Sequence, residues 1–215
     1  MKARYLVMAV LGAGLAAGVG ARVYSGDQAG VTEEFRKQFI KDFKRTGLNT
    51  TPEDAILLRI LVEARQAKRG VEVGSATGFG AINMGIAFER TGGRLDTIDI
   101  DAGMVKATRE NVRKMGLEKT VTAIEGDALK VLATLEGEID FVFLDAVKQD
   151  YGKYLKLISA KLKPGAVVVA DNAIRSASSM KDFLDAMRDS PDWEMVIVQA
   201  SKEKGDGMAV CYKVR

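Results

Sequence analysis

The sequence contains no histidine, one cysteine and only three prolines in 215 residues. Without histidine there is no imidazole to act as the usual base near neutral pH. There can be no Ser-His-Asp triad and no histidine-ligated zinc. A lone Cys211 excludes an internal disulfide and any multi-cysteine metal site. The net charge is only +3, and basic residues alternate with acidic ones instead of forming a block, which argues against a nucleic-acid partner. The chemistry is therefore left to carboxylates, amides, hydroxyls, lysine, arginine, tyrosine or a cofactor. With 47% hydrophobic and 28% charged residues the chain has an ordinary soluble composition, and its length suits one sizeable domain.

Residues 1–26, "MKARYLVMAVLGAGLAAGVGARVYSG", differ from the rest. Lys2 and Arg4 precede a run from Tyr5 to Ala21 that carries no charge. The run sits at the lower limit for a membrane span and is rich in Gly and Ala, so a leader peptide, a weak anchor and a packed or free helix all stay open. Membrane association would run through residues 5–21. The positive flank would keep the N-terminus in the cytoplasm and export the rest. That conflicts with the cytoplasmic location expected for the chemistry below. Residues 30–215 are expected to be the catalytic domain.

Phe35, Phe39, Ile40 and Phe43 recur at helical spacing within 32–46. A second helix is expected over 53–67, with Pro52 at its start and Ile56, Leu57, Ile60 and Leu61 buried. Apolar runs at 71–73, 95–100, 121–124, 139–144 and 166–170 then alternate with helical patterns at 80–91, 103–115, 127–135, 150–163 and 177–188. This alternation predicts an α/β, doubly wound, Rossmann-like sheet, mostly parallel, with helices on both faces. "WEMVIVQA" and "MAVCYKV", separated by the turn "KGDG", add two strands antiparallel to each other, for seven in all.

The turn after the first strand, where such sheets bind ligands, reads "VEVGSATGFG". Its glycines, Gly74, Gly78 and Gly80, do not have the G-x-G-x-x-G spacing of a dinucleotide fold, and the Lys-Ser/Thr pair of a P-loop is missing. Glu72 just before the turn would repel phosphate and suit a cation or an amine. Asp99 ends the second strand in "TIDID", 25 residues after Gly74, where a carboxylate accepts both hydroxyls of a ribose. A nucleoside that carries positive charge and no phosphate satisfies both carboxylates, and S-adenosylmethionine (SAM) is such a molecule.

From about Thr50 onward the pieces "VEVGSATGFG", "TIDID", "EGDAL", "FVFLDAVKQDY", "KPGAVVVADN" and "GDGMAVCYKV" stand in one order and spacing over about three-quarters of the chain. In this the chain resembles the metal-dependent O-methyltransferases of the catechol and caffeoyl-CoA type. "FLDAVKQDY" followed by "ADN" is the most specific part. Asp145 follows the fourth strand and Asp171-Asn172 the fifth; together they offer two carboxylates and an amide oxygen, a half-filled sphere suited to Mg2+ or Mn2+. Taken singly, Asp145 as a helix cap and Asp171-Asn172 as an ordinary turn stay open. The resemblance implies that Lys148 takes the proton from the acceptor hydroxyl. It further implies that Glu72, Gly74, Ser75, Gly80 and Thr50 surround the methionine part of the cofactor, that Asp127 and Ala128 border the adenine, and that Asp145 serves cofactor and metal alike.

The chain departs from the family pattern at Val147, where many relatives have Asp, and at Phe79-Gly80, which replace a common Tyr-Ser pair. Ala200 stands near the place of a substrate-facing Glu in the catechol enzymes, and "AIRSASSM" lacks the aromatic or proline gates of relatives. These changes bear on the acceptor. The leading expectation is methyl transfer to one hydroxyl of a vicinal dihydroxy aromatic. Transfer to a lipid or quinone-precursor hydroxyl, or a catalytically silent SAM-binding module, are the alternatives. The expected partner is a small phenolic molecule, and formation of a homodimer is left open.

Overall fold

The structure is a computed structural model, and it describes residues 31–215. The expected leader or anchor and the run 5–21 lie outside the described residues. Among the described residues no helix is long and apolar enough to cross a membrane.

Two helices, α1 (Glu33–Lys41) and α2 (Pro52–Arg65), precede the sheet. Each begins at a threonine whose hydroxyl accepts a backbone N–H three residues on, Thr32 from Phe35 and Thr51 from Asp54. Strands β1 (Arg69–Val73), β2 (Arg94–Asp99), β3 (Val121–Glu125), β4 (Ile139–Leu144) and β5 (Leu162–Ala170) then alternate with helices α3 (Phe79–Thr91), α4 (Ala102–Lys114), α5 (Ala128–Thr134) and α6 (Tyr151–Ile158). Helix α7 (Lys181–Asp189) and strands β6 (Trp193–Val198) and β7 (Met208–Lys213) close the chain. The sheet order is β3-β2-β1-β4-β5-β7-β6, and β7 runs antiparallel to both neighbours. This is the expected doubly wound, seven-stranded sheet.

Strand β4 is buried along its whole length, because helices cover both faces. Its side chains alternate between two cores. Phe141 and Phe143 join Leu58, Val62, Ile82 and Phe88 on one side, while Val142 and Leu144 join Tyr151, Ile158 and Phe183 on the other. The helix over 53–67 forms, but its buried face differs from expectation. Ala55, Leu58 and Val62 are buried, and Ile56 and Ile60 are 49% and 57% exposed. The helix packs chiefly on α3, so its apolar residues one position round the axis face outward. The expected helix 150–163 is shorter. It tightens into a 3-10 turn at Ser159–Lys161 ahead of Pro164, so β5 starts at Leu162.

The reversal of strand order between β1 and β4 opens the crevice in which such sheets bind ligands. One repeated bond aligns its edge. The residue after β3, β1, β4 and β5 donates its backbone N–H to the neighbouring strand: Gly126 to Asp99, Gly74 to Ile98, Asp145 to Val73 and Asp171 to Leu144, all at 2.8–2.9 Å. Gly74 takes φ +96, and a Cβ there would stand 2.1 Å from the Asp145 carbonyl oxygen. Gly74→Ala is therefore expected to lower stability by about 1–3 kcal/mol, since it adds a strained backbone to a backbone clash. Urea unfolding of the two proteins measures this.

Candidate active site

A cavity of about 750 Å³ opens at this edge. Gly74, Asp99, Asp127, Ala128, Asp145, Lys148, Asp171 and Asn172 all line it. Thr50, Glu72, Ser75 and Gly80 do not; they are buried beside it. The walls carry six aspartates, Asp99, Asp101, Asp127, Asp145, Asp150 and Asp171, against two lysines, Lys148 and Lys204. A site of that balance favours a cationic ligand.

Asp99 shapes the glycine loop as well as facing the cavity. Its Oδ2 accepts the backbone N–H groups of Ser75 and Ala76 at 3.0 Å each, and its Oδ1 accepts that of Asp101. The Ser75 hydroxyl also lies 3.4 Å from Oδ2, so of the two oxygens it is Oδ1, with one donor, that keeps a lone pair for a ribose hydroxyl. Asp127 caps α5 through Leu129, and Asp101 caps α4 through Met104. Ile100, 76% exposed, and Met104 supply apolar wall between them.

Glu72 is fully enclosed. The Thr97 hydroxyl donates to its Oε2 at 2.5 Å, and a Cβ on Gly80 would stand 2.4 Å from its Oε1. The missing side chain at Gly80 is what gives Glu72 its space. Burial pushes the Glu72 carboxyl up to about 8; the Thr97 hydrogen bond opposes this, and Asp145 and Asp99 add to it. Close by, Thr50 Oγ1 and Asn49 Nδ2 are buried without a hydrogen-bond partner. Unpaired buried polar atoms beside a cavity are what an absent polar ligand leaves behind.

Lys148 Nζ stands 2.9 Å from Asp145 Oδ1 and 2.9 Å from Tyr151 Oη. Tyr151 is itself buried and donates its hydroxyl proton to the Leu144 carbonyl. Two of the three ammonium donors are thereby fixed, and the lysine is aimed along the cavity wall. Asn172, at φ +62, gives its Nδ2 to Asp206, which leaves Oδ1 as its free end. Asp206 also accepts the backbone N–H groups of Ile174, Arg175 and Gly207. It thus pins the "KGDG" segment against the loop after β5. Among the described residues no three His, Cys, Asp or Glu side chains gather as a metal site. The candidate donors are Asp145, Asp171 and the Asn172 amide, hard oxygens on one cavity wall, and that set fits Mg2+ or Mn2+. Burial raises the Asp171 carboxyl to about 6, and Asp145 pushes the same way against Lys204.

Four residues of this site escaped the sequence reading: Tyr151, Asp206, Asp54 and Lys204. Tyr151 and Asp206 stand inside recognised motifs, where an aromatic three places after Lys148 and an aspartate between two glycines were the signals. Asp54 and Lys204 lie 150 residues apart, and no local pattern joins them. Ala200 lies outside the cavity, in a shallow depression with Pro52, Ile56 and Ile60.

An open parallel sheet with a carboxylate at the tip of β2, a glycine loop after β1 and a cation-seeking cavity defines a transferase that uses a charged nucleoside. The comparisons narrow the class. The O-methyltransferase family profile matches residues 22–204, and the chain belongs to that family. A catechol O-methyltransferase of Mycobacterium tuberculosis is 30% identical over 166 residues, which cover 71% of this chain and 75% of the relative. One of Niastella koreensis is 30% identical over 139 residues; that match takes in 63% of this chain and 62% of the relative's length. The structure of the O-methyltransferase TomG of Streptomyces achromogenes, a complex with SAM, superposes with a TM-score of 0.74 at 26% identity, over 86% of this chain and 91% of that one. The chain is a SAM-dependent O-methyltransferase.

Because the raised Glu72 carboxyl holds a proton that the unfolded chain releases near the ordinary value of 4.5, folding takes up a proton between those values. Its contribution is fully favourable below pH 4.5 and is lost as pH rises through about 8. Glu72→Gln, without ligand, is expected to raise the melting temperature relative to wild type more at pH 8.5 than at pH 5. Melting curves across that range measure the difference, and an equal shift at both ends would show that Glu72 is ionised throughout.

Proposed function

We propose that residues 30–215 transfer a methyl group from SAM to one hydroxyl of a vicinal dihydroxy aromatic, with a divalent cation held by Asp145, Asp171 and Asn172. The observation that carries this is the meeting of Asp99, Asp145, Lys148, Asp171 and Asn172 in one cavity. The names of the two curated relatives support the acceptor class. So do Leu48 and Val147, apolar residues 69% and 54% exposed on the cavity wall, against which an aromatic ring can pack.

In this reading Asp99 accepts the ribose hydroxyls, and Asp127 and Ala128 border the adenine with Ile100. Thr50 and Glu72 receive the methionine end, with Gly74, Ser75 and Gly80 shaping the backbone around it. When bound, SAM would supply an electrophilic methyl on a sulfonium, with the neutral thioether S-adenosylhomocysteine as the leaving group. A divalent cation would supply Lewis acidity and a template for two adjacent oxygens. Lys148 is the base assigned to the acceptor's proton; Asp145 and Tyr151 hold its nitrogen in place for that. The sheet edge contributes alignment, because these groups sit on adjoining strand tips that backbone bonds tie together. The presence of every one of these groups disfavours a silent binding module.

Transfer of a labelled methyl from SAM to catechol is expected to stop in excess chelator and to return with Mg2+ or Mn2+. Zinc is expected to be a poor substitute, since the donors include no nitrogen or sulfur. Full turnover in chelator contradicts the metal assignment. Asp99→Asn is expected to weaken SAM binding by about 1–3 kcal/mol, the loss from a charged acceptor withdrawn from a buried hydroxyl pair. Calorimetric titration reads this directly, and an unchanged dissociation constant would remove Asp99 from the cofactor site.

A further inference from the structure

Lys204 lines the same cavity, and the proposed mechanism gives it no role. It rises from the loop between β6 and β7. Asp206 pins that loop, two residues further on, to the backbone of Ile174 and Arg175. Its ammonium reaches both oxygens of Asp171, at 2.6 Å to Oδ2, and Asp54 Oδ2 at 3.0 Å. All three of its donors are thereby used. The two carboxylate side chains are 3% exposed and the lysine 15%. Asp54 has no other cation within salt-bridge distance among the described residues. Two buried carboxylates without a counter-charge are costly, so this side of the site needs a cation.

We propose that Lys204 is a built-in cation that competes with the divalent metal for Asp171, with Asp54 as the perch that keeps the ammonium beside the site when the metal enters. The proposal rests on the metal reading above. Asp171 has both oxygens engaged by the ammonium, so a metal ion drawn to the same carboxylate competes with the lysine for its charge and its lone pairs. Asp54, carried on α2, accepts from the same nitrogen and still holds it when Asp171 turns to the metal. The displaced charge then remains next to the incoming dication and repels it. The chain thus holds its metal more weakly than the same three oxygens would without Lys204, and the empty site is neutralised without metal. Lys204 is a positioning residue in this account and touches no reacting atom.

The test is Mn2+ binding to the 215-residue protein without SAM or acceptor, read by electron paramagnetic resonance of free Mn2+ and by calorimetry. Lys204→Met and Lys204→Gln remove the charge, the second while retaining hydrogen bonds to both aspartates in case the first fails to fold. Lys204→Arg keeps the charge. Both neutral variants are expected to bind Mn2+ at least tenfold more tightly than wild type, and Lys204→Arg as weakly as wild type. Addition of Asp171→Asn to either neutral variant is expected to abolish the gain. Equal or weaker binding in the neutral variants overturns the proposal and leaves the metal reading standing. Tight binding that survives Asp171→Asn places the ion elsewhere and also overturns it. No binding by any of the proteins overturns both.

Discussion

Four carboxylates meet at one edge of the sheet, and the rest of the site is arranged around their mutual repulsion. Glu72, Asp99, Asp145 and Asp171 stand in or just beyond β1, β2, β4 and β5. The strand order β2-β1-β4-β5 makes these four strands neighbours. Parallel strands deliver their ends to the same side, so nothing but added positive charge or hydrogen-bond donors can relieve the crowding. The relief is visible group by group. Asp99 takes loop amides, Glu72 takes the Thr97 hydroxyl and a proton, Asp145 takes Lys148, and Asp171 takes Lys204. Glu72 and Asp171 stay raised, to about 8 and about 6, chiefly by burial, with the neighbouring carboxylates adding to it. A ligand with a sulfonium and an ammonium supplies what is missing.

The arrangement ties cofactor chemistry to fold stability. The bonds that align the strand tips also set the carboxylates close together. The loop that Asp99 holds depends on Gly74, whose missing side chain lets the backbone pass the Asp145 carbonyl. Substitutions at this edge therefore act on the fold and on the ligand together, and binding has to be read beside melting behaviour.

Much of this was legible in the sequence, because it rests on local patterns. The alternation of apolar runs with helical spacings gave the parallel sheet, and β4 was found at its observed limits, Ile139–Leu144. The glycine turn and the acid ending β2 pointed to a charged nucleoside, and "DAVK" and "ADN" marked the strand tips that line the cavity. What stayed hidden depends on contacts distant in sequence. Ile56 and Ile60 fit a buried helical face by spacing, yet the helix presents Leu58 and Val62 to α3 and leaves them outside. The link between Asp54 and Lys204 spans 150 positions, and it exists only because α2 and the loop before β7 converge on Asp171. The seclusion of Glu72 behind the cavity wall likewise follows from Gly80 and Thr97 acting together.

The central claim is that a positively charged cofactor completes this carboxylate edge. The most direct test is the proton balance of SAM binding. Near pH 7 a carboxyl raised to about 8 is largely protonated in the empty protein, and an arriving ammonium ionises it and sends its proton to the buffer. Calorimetric titration of SAM in two buffers of different ionisation enthalpy measures that proton. The account predicts net release of up to about one proton per SAM bound, removed by Glu72→Gln. Identical heats in the two buffers, or a release that survives Glu72→Gln, would contradict it.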